Sequence, residues 1–238
     1  RIVVIEAAAA NLGSMVTPIG NPQNLYLYST YSFSLGTFFK TILPIVGISY
    51  IGLLFSLLLI PQQPLAAEIP TESHLPLSAQ KKNLIIYSIL GVVCLATVAG
   101  FVTHVVCFCV VLLGMIVTDR ALIRRVDWEL LLTFVCFFLF SGNLQQIESV
   151  RNLMMQGLSG GVCLTAALVS QVISNVPAAV LLSGFTEQGK ELLLGVDIGG
   201  LGTPIASLAS LIAYQYYAKS KLANPAKYLQ FFFIYQFI

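Results

Sequence analysis

The chain has 238 residues, 57% of them apolar and only 9% charged, with a mean hydropathy of +0.88. A soluble domain carries about 25% charged residues; so few cannot cover a water-soluble fold of this size, and an integral membrane protein with several spanning helices is expected. The net charge of +2 is gathered in a few connections with no broad basic face, which removes nucleic acid from the expected partners.

The chain opens Arg1-Ile2-Val3-Val4-Ile5-Glu6 without Met or a signal-peptide layout, and reads as a piece of a longer one. Residues 2–10 are too short to span and are expected to form a half-helix. It runs into a dense set of small, polar and helix-breaking residues, Asn11-Leu12-Gly13-Ser14-Met15-Val16-Thr17-Pro18-Ile19-Gly20-Asn21-Pro22-Gln23-Asn24. A spanning helix needs about 20 apolar residues, and the first is predicted at 37–60, where Pro44 and Gly47 are tolerable. Residues 61–82, with four prolines, Glu68, Glu72 and a solvated His74, read as a cytoplasmic linker between two repeats.

Further spans are predicted at 83–99 and 101–118, joined by a tight turn at Gly100. Lys81-Lys82 precedes this pair and Asp119-Arg120 and Arg124-Arg125 follow it, which puts both flanks on the cytoplasmic side. Asp127-Trp128-Glu129 starts a span to about residue 140, with Trp128 as an interfacial anchor. Residues 141–151 are expected outside. Residues 155–184 read as a re-entrant hairpin with its tip at Ser174-Asn175-Val176-Pro177. A half-helix follows at 191–196, then a second broken stretch, a half-helix at 204–217, a basic connection and the start of a last helix within 218–238. The five cysteines lie in apolar runs without metal-binding spacing and read as buried free thiols.

The second broken stretch is a copy of the first. Shifting Asn11 by 186 gives Asp197, and Asp197-Ile198-Gly199-Gly200-Leu201-Gly202-Thr203-Pro204-Ile205-Ala206-Ser207-Leu208-Ala209-Ser210-Leu211 aligns without a gap. Gly13, Thr17, Pro18, Ile19 and Leu25 recur as Gly199, Thr203, Pro204, Ile205 and Leu211. The same shift puts the first repeat's hairpin tip about a dozen residues ahead of Arg1, so the first spans and that hairpin are expected to be missing here. Two broken helices in corresponding apolar halves point to a substrate site between repeats.

Proline is favoured at the first helical position, so Pro18 and Pro204 are predicted to open the second half-helices with Thr17 and Thr203 as caps. The open N–H groups and the helix dipole there favour an anion. Asn11, Ser14, Asn21 and Asn175, with preceding carbonyls, offer hard oxygens for Na⁺, expected near Asn11, Ser14 and Asn175. Gly13, Gly20, Gly199, Gly200 and Gly202 let the backbone approach a ligand. Pro22, Asn24, Ser174 and Pro177 complete the expected site. The competing reading is two proline-kinked packing helices. Asp197 is read as a proton carrier or cation ligand, the alternative being an interfacial acid near Lys190. Glu6 is either functional or paired with a missing helix. His104 reads as interfacial and Arg151 as a solvated loop charge.

These three stretches, with Asp127-Trp128-Glu129-Leu130-Leu131, resemble the ion transporter superfamily of citrate and dicarboxylate permeases, arsenite-pump permeases and sodium–proton antiporters. The resemblance implies two inverted repeats, each with a hairpin and a broken helix. In the dicarboxylate branch Ser-Asn-Thr tips hold substrate and sodium; this carries onto Ser174 and Asn175, whereas Val176-Pro177 departs from that pattern. The second motif has Ala206 and Leu208 where the first has Gly20 and Pro22, so the two halves are not equivalent.

The expected fold is thus an all-α, N-terminally incomplete inverted-repeat transporter in the inner or plasma membrane. The expected function is secondary transport of a carboxylate or oxyanion coupled to Na⁺ or H⁺. Sodium–proton exchange and a truncated, non-transporting remnant are the alternatives. No nucleotide-binding loop is present and no catalytic residue is assigned. A small anionic solute and the bilayer are the expected partners, with homodimerisation open and Na⁺ the only ion in a cofactor-like role.

Overall fold

The computed structural model describes residues 2–58, 77–118, 120–220 and 223–236, and among them every regular element is a helix. Two compact units are formed, Arg1–Pro61 with Thr133–Ile238, and Gln62–Leu132.

The first unit opens with α1 (Ile2–Met15), α2 (Pro22–Thr30) and α3 (Leu35–Leu58). At about 1.5 Å per residue α3 is about 36 Å long, enough to cross the roughly 30 Å hydrocarbon layer. It is the one described helix that is by itself long and apolar enough to do so. Its outer face carries Ile48, Ile51, Phe55 and Leu58, all well exposed. Such a face is stable against lipid and not against water. Next come α7 (Trp128–Leu144), which enters this unit at Thr133, and α8 (Glu148–Gly160), bent from α7 by 91°. Gly161, at φ 143°, ends α8. Residues 155–160 therefore belong to α8, and the hairpin expected from 155 narrows to α9 (Val162–Ile173) and α10 (Asn175–Ser183), joined at Ser174. The chain continues as α11 (Gly189–Gly200), α12 (Leu208–Ala218) and α13 (Pro225–Gln236).

One apolar core ties the two ends of the sequence together. Leu12, Met15, Leu27, Phe38 and Ile42 pack with Ala166, Ala178, Leu182, Leu192, Leu193 and Val196. A second cluster seats Tyr228 and Phe232 of α13 against Val4 of α1. The closest helix pair is α9 with α11. A Cβ on Gly199 would lie 2.7 Å from the Ser170 Cβ and 2.9 Å from the Ala167 Cα. At Gly195 it would collide with the Cys163 carbonyl and at Gly202 with Gln171. Gly199 and Gly202 of the second broken stretch therefore serve helix packing, whereas a Cβ on Gly200 would lie 2.6 Å from the Asn175 amide. The connection after α2 is fixed by Tyr31, whose hydroxyl donates to the Thr186 carbonyl at 2.7 Å. Burial, then the neighbouring Glu187, pushes that hydroxyl up to about 12, which keeps it a donor.

The second unit holds α4 (Leu77–Val98), α5 (His104–Thr118) and α6 (Ala121–Arg124). Gly100, at φ 85°, makes the expected turn, and Leu90 packs on Gly114, where a Cβ would approach within 2.9 Å. α4 begins inside the stretch read as linker. Glu68, Glu72, His74 and Asp119 lie outside the described residues. The 15 residues of α5 make about 22 Å of helix, short of a full span by themselves. The cysteines expected to be buried are more open than that. Cys94, Cys109 and Cys136 are exposed, and Cys107 and Cys163 intermediate.

Candidate functional site

Both helix breaks start later than the sequence suggests. α1 stays helical through Asn11, Gly13 and Ser14 to Met15, and α11 through Asp197, Gly199 and Gly200. The second half-helices also start later. Asn21, at φ −147° and ψ 158°, caps α2, its side chain accepting the Asn24 N–H at 2.9 Å with Pro22 in the first turn. Ser207, at φ −141° and ψ 142°, caps α12, its hydroxyl accepting the Ser210 N–H at 3.2 Å. The predicted caps Thr17 and Thr203 and first-turn residues Pro18 and Pro204 instead occupy the breaks. There the Thr17 carbonyl accepts the Gly20 N–H at 3.1 Å and the Thr203 carbonyl the Ala206 N–H at 3.0 Å. Each Thr-Pro pair thus turns the chain, and the extended residue four positions on takes over capping. Gly20 is needed for close approach, because a Cβ there would strike the Ser14 carbonyl at the end of α1.

The side chains at the breaks reach across from one copy to the other. The Asn11 amide donates to the Ser210 hydroxyl at 2.9 Å, and its oxygen accepts from the Ser207 hydroxyl at 2.7 Å. The positions matching these under the 186-residue shift are Asp197, Asn24 and Asn21. They also meet: Asn21 and Asn24 flank the Asp197 carboxylate, and Gln23 donates to it at 3.2 Å. Asp197, Gln23 and Asn24 are all buried. Asp197 Oδ2 and Asn24 Oδ1 have no hydrogen-bond partner. Ser14 donates to the Asn11 carbonyl at 2.8 Å and lies 3.5 Å from the Asn21 amide.

The hairpin delivers its tip to the second break. Ser174 takes a left-handed φ of 74°, which is costly for a residue with a Cβ. The Asn175 N–H donates to the Ala206 carbonyl at 2.8 Å, and the Ser174 hydroxyl reaches the same oxygen at 3.3 Å. The Pro177 carbonyl accepts from Ser141 at 3.2 Å. Gln171 of α9 donates to the Gly199 carbonyl at 2.7 Å, adding to the Gly202 N–H that the same oxygen accepts at 3.0 Å at the end of α11.

A cavity of about 230 Å³, lined by both polar and apolar side chains, lies where these parts meet. Of the predicted residues, Asn11, Ser14, Gly20, Asn21, Pro22 and Asn175 line it. Gln23, Val176, Ser207, Leu208 and Ala209 also line it and were not foreseen. Ser207 and Gln23 were detectable as polar residues inside the duplicated stretch, next to its prolines and glycines. Gly13, Thr17, Pro18, Asn24, Ser174, Pro177, Asp197, Gly199, Gly200, Thr203 and Pro204 do not line it. The residues expected near Na⁺, Asn11, Ser14 and Asn175, share this wall. The first turns of α2, α10 and α12 all open onto the cavity through Pro22 and Gln23, Asn175 and Val176, and Leu208 and Ala209. Some of the first-turn N–H groups are already taken, Asn24 by Asn21, Ser210 by Ser207 and Asn175 by the Ala206 carbonyl, so what the three ends offer the cavity is chiefly the positive end of each helix dipole, without a charged side chain.

Residues 1–188 match the family model described as citrate transporter. The chain belongs to the citrate transporter family. It is 32% identical over 222 residues to the inner membrane protein YbiR of Escherichia coli (strain K12), covering 90% of this chain and 57% of that protein. It is 32% identical over 212 residues to the uncharacterized transporter MJ0456 of Methanocaldococcus jannaschii, covering 89% of this chain and 57% of that protein. The chain therefore spans little more than half the length of these relatives. No solved structure matches it. Membership of the citrate transporter family, together with the lipid-compatible face of α3, makes the chain an integral membrane protein and points to a transporter rather than an enzyme.

Proposed function

We propose that this chain carries the solute site of a secondary transporter for a small anion, citrate or a related carboxylate or oxyanion, working by alternating access. The observation that carries the reading is the convergence of three helix N-termini on one cavity, with amide and hydroxyl side chains in its wall, bounded by both copies of the broken stretch. Amide and hydroxyl donors with helix dipoles bind carboxylates without fixed positive charge, and the cavity holds the volume of about seven waters. The reciprocal contacts, Asn11 with Ser207 and Ser210, Asp197 with Asn21, Gln23 and Asn24, support two repeats of inverted topology. In this reading α9–α10 is a re-entrant hairpin.

The coupling ion is Na⁺ on the oxygens of Asn11, Ser14 and Asn175, or a proton on Asp197. A buried carboxylate with one oxygen unpartnered also favours a second reading, sodium–proton exchange with Asp197 as the shared group.

The test is binding and flux in proteoliposomes with citrate, succinate, sulfate and arsenite, with and without Na⁺ and pH gradients. Saturable binding of one anion that Asn175→Ala weakens supports the transport reading. Asp197→Asn separates the two: anion transport keeps its ligand and loses coupling, whereas exchange loses everything. If no anion binds under any gradient, the anion site is refuted.

A further inference from the structure

The second unit holds two thiols whose placement is set by the turn between its long helices. α4 ends in a Schellman arrangement. The Phe101 N–H donates to the Ala96 carbonyl at 2.9 Å and the Gly100 N–H to the Thr97 carbonyl at 3.0 Å. Gly100 takes the left-handed φ of 85° that this ending favours. Only residues 99–103 separate α4 from α5, and the Cys107 N–H already donates to the Thr103 carbonyl at 3.0 Å. So short and so fully bonded a connection leaves the two helices little freedom to slide along each other.

Along their seam Leu90 of α4 meets Gly114 of α5. Nearer the turn Cys94 meets Cys107, the Cys107 thiol donating to the Cys94 sulfur at 3.9 Å. A disulfide brings two sulfurs to about 2.05 Å, a difference that side-chain rotation covers. The other cysteines are placed differently. Cys109 is two residues further along α5, which turns it about 200° around the helix from Cys107, and Cys136 and Cys163 belong to the first unit. Cys94 is exposed and Cys107 half-buried. Cys107 stands one turn into α5 from the exposed His104, so the pair lies near the polar end of that helix. An accessible thiol beside a second one that can resolve it is the arrangement of a reversible oxidation site.

We propose that Cys94 and Cys107 form a reversible disulfide, closed by a peroxide, that fastens α4 to α5 beside their turn. The exposed Cys94 sulfur, as thiolate, attacks one oxygen of hydrogen peroxide. The O–O bond breaks, Cys94 becomes a sulfenic acid, and the departing hydroxide takes the proton that the thiol released and leaves as water. The Cys107 sulfur then attacks the Cys94 sulfur. The S–S bond forms, the S–O bond breaks, and the second hydroxide leaves as water with the Cys107 proton. Two thiols are oxidised to one disulfide and one peroxide is reduced to two waters. An added dithiol reverses the closure by exchange. The bridge also closes a loop in the unfolded chain, which stabilises the helix pair.

The test is peroxide treatment of the 238-residue chain in proteoliposomes, followed by alkylation of the remaining thiols and peptide mapping without reductant. Trypsin releases residues 83–120 as one fragment, and cleavage after Phe101 and Phe108 then separates Cys94, Cys107 and Cys109. The Cys94–Cys107 link is expected to form about tenfold faster than any other pairing, within a chain or between chains. Cys109, Cys136 and Cys163 are expected to stay alkylatable, and dithiothreitol to return both paired thiols. Cys107→Ser is expected to stop the reaction at a sulfenic acid on Cys94 that dimedone traps. Cys94→Ser is expected to leave Cys107 reduced, and Cys109→Ser to change nothing. Gly114→Val, which wedges Leu90 away from α5, is expected to slow the link several-fold with both thiols present. Links to Cys109 in equal yield, links chiefly between chains, or Cys94 oxidised past the sulfenic acid with Cys107 still reduced would each overturn the proposal.

Discussion

Asn11 and Asp197 hold matching positions in the two copies of the broken stretch, and their surroundings differ in a way that assigns them different work. Asn11 is neutral and fully engaged, giving a hydrogen to Ser210 and taking one from Ser207. Asp197 is an acid set among three amides, and one of its oxygens is unpartnered. The first arrangement resembles a clasp, in which the amide nitrogen and the amide oxygen each have a partner. The second leaves acceptor capacity inside the protein, which is costly unless a proton or cation uses it. The duplication therefore supplies a common frame, and in the proposed reading the acid at Asp197, with Asn21 and Asn24 in place of Ser207 and Ser210, gives one side of that frame a titratable group.

The comparison breaks most sharply if Asn11 is given the acid of its counterpart. Asn11→Asp places a carboxylate on the cavity wall and is expected to weaken anion binding by about 3 kcal/mol, roughly a hundredfold, at an effective dielectric near 20; equilibrium binding of labelled citrate reads this. The matched glycines come next. Gly199→Ala drives a Cβ into Ser170 and Ala167 and is expected to cost about 2 kcal/mol. Gly13→Ala meets only the Tyr50 hydroxyl, at 3.6 Å, and gains about 0.5–1 kcal/mol of helix propensity. Thermal unfolding in detergent should move in opposite directions for the pair, and a parallel shift would show that the two halves are packed alike. The smallest effect is at the caps. Asn21→Ala and Ser207→Ala each lose about 1 kcal/mol of capping. Ser207→Ala also strips the Asn11 bond and is expected to lower the melting temperature further than Asn21→Ala does.

Much of this frame is legible in the sequence. The 186-residue shift identifies both breaks, and the helix starts at His104 and Trp128 follow from their flanking turns and charges. The caps were misplaced because Thr17-Pro18 and Thr203-Pro204 carry the same cap-then-proline signal as Asn21-Pro22, and local chemistry does not rank them. Tertiary packing does: the turns must first bring Gly20 against Ser14 and Ala206 to the hairpin tip, and only then can a helix begin. The glycines were misread for a related reason. Sequence shows that a Cβ is absent, and only the fold shows that α9 is what fills the space. Gln23 and Gln171 were passed over because a glutamine on a helix is ordinarily a solvated residue. Here each is aimed inward at an acceptor beside the break, Asp197 and the Gly199 carbonyl.

The Ala206 carbonyl receives both the Asn175 N–H and the Ser174 hydroxyl, and the next residue is the cap of α12. Hairpin tip and helix start are thereby laced to one oxygen. A shift of either tugs the other, and the part of the wall they share travels as a single rigid piece. Under the proposed transport reading, the hinge for solute release then lies elsewhere, on the side of the cavity closed by the turn at Gly20.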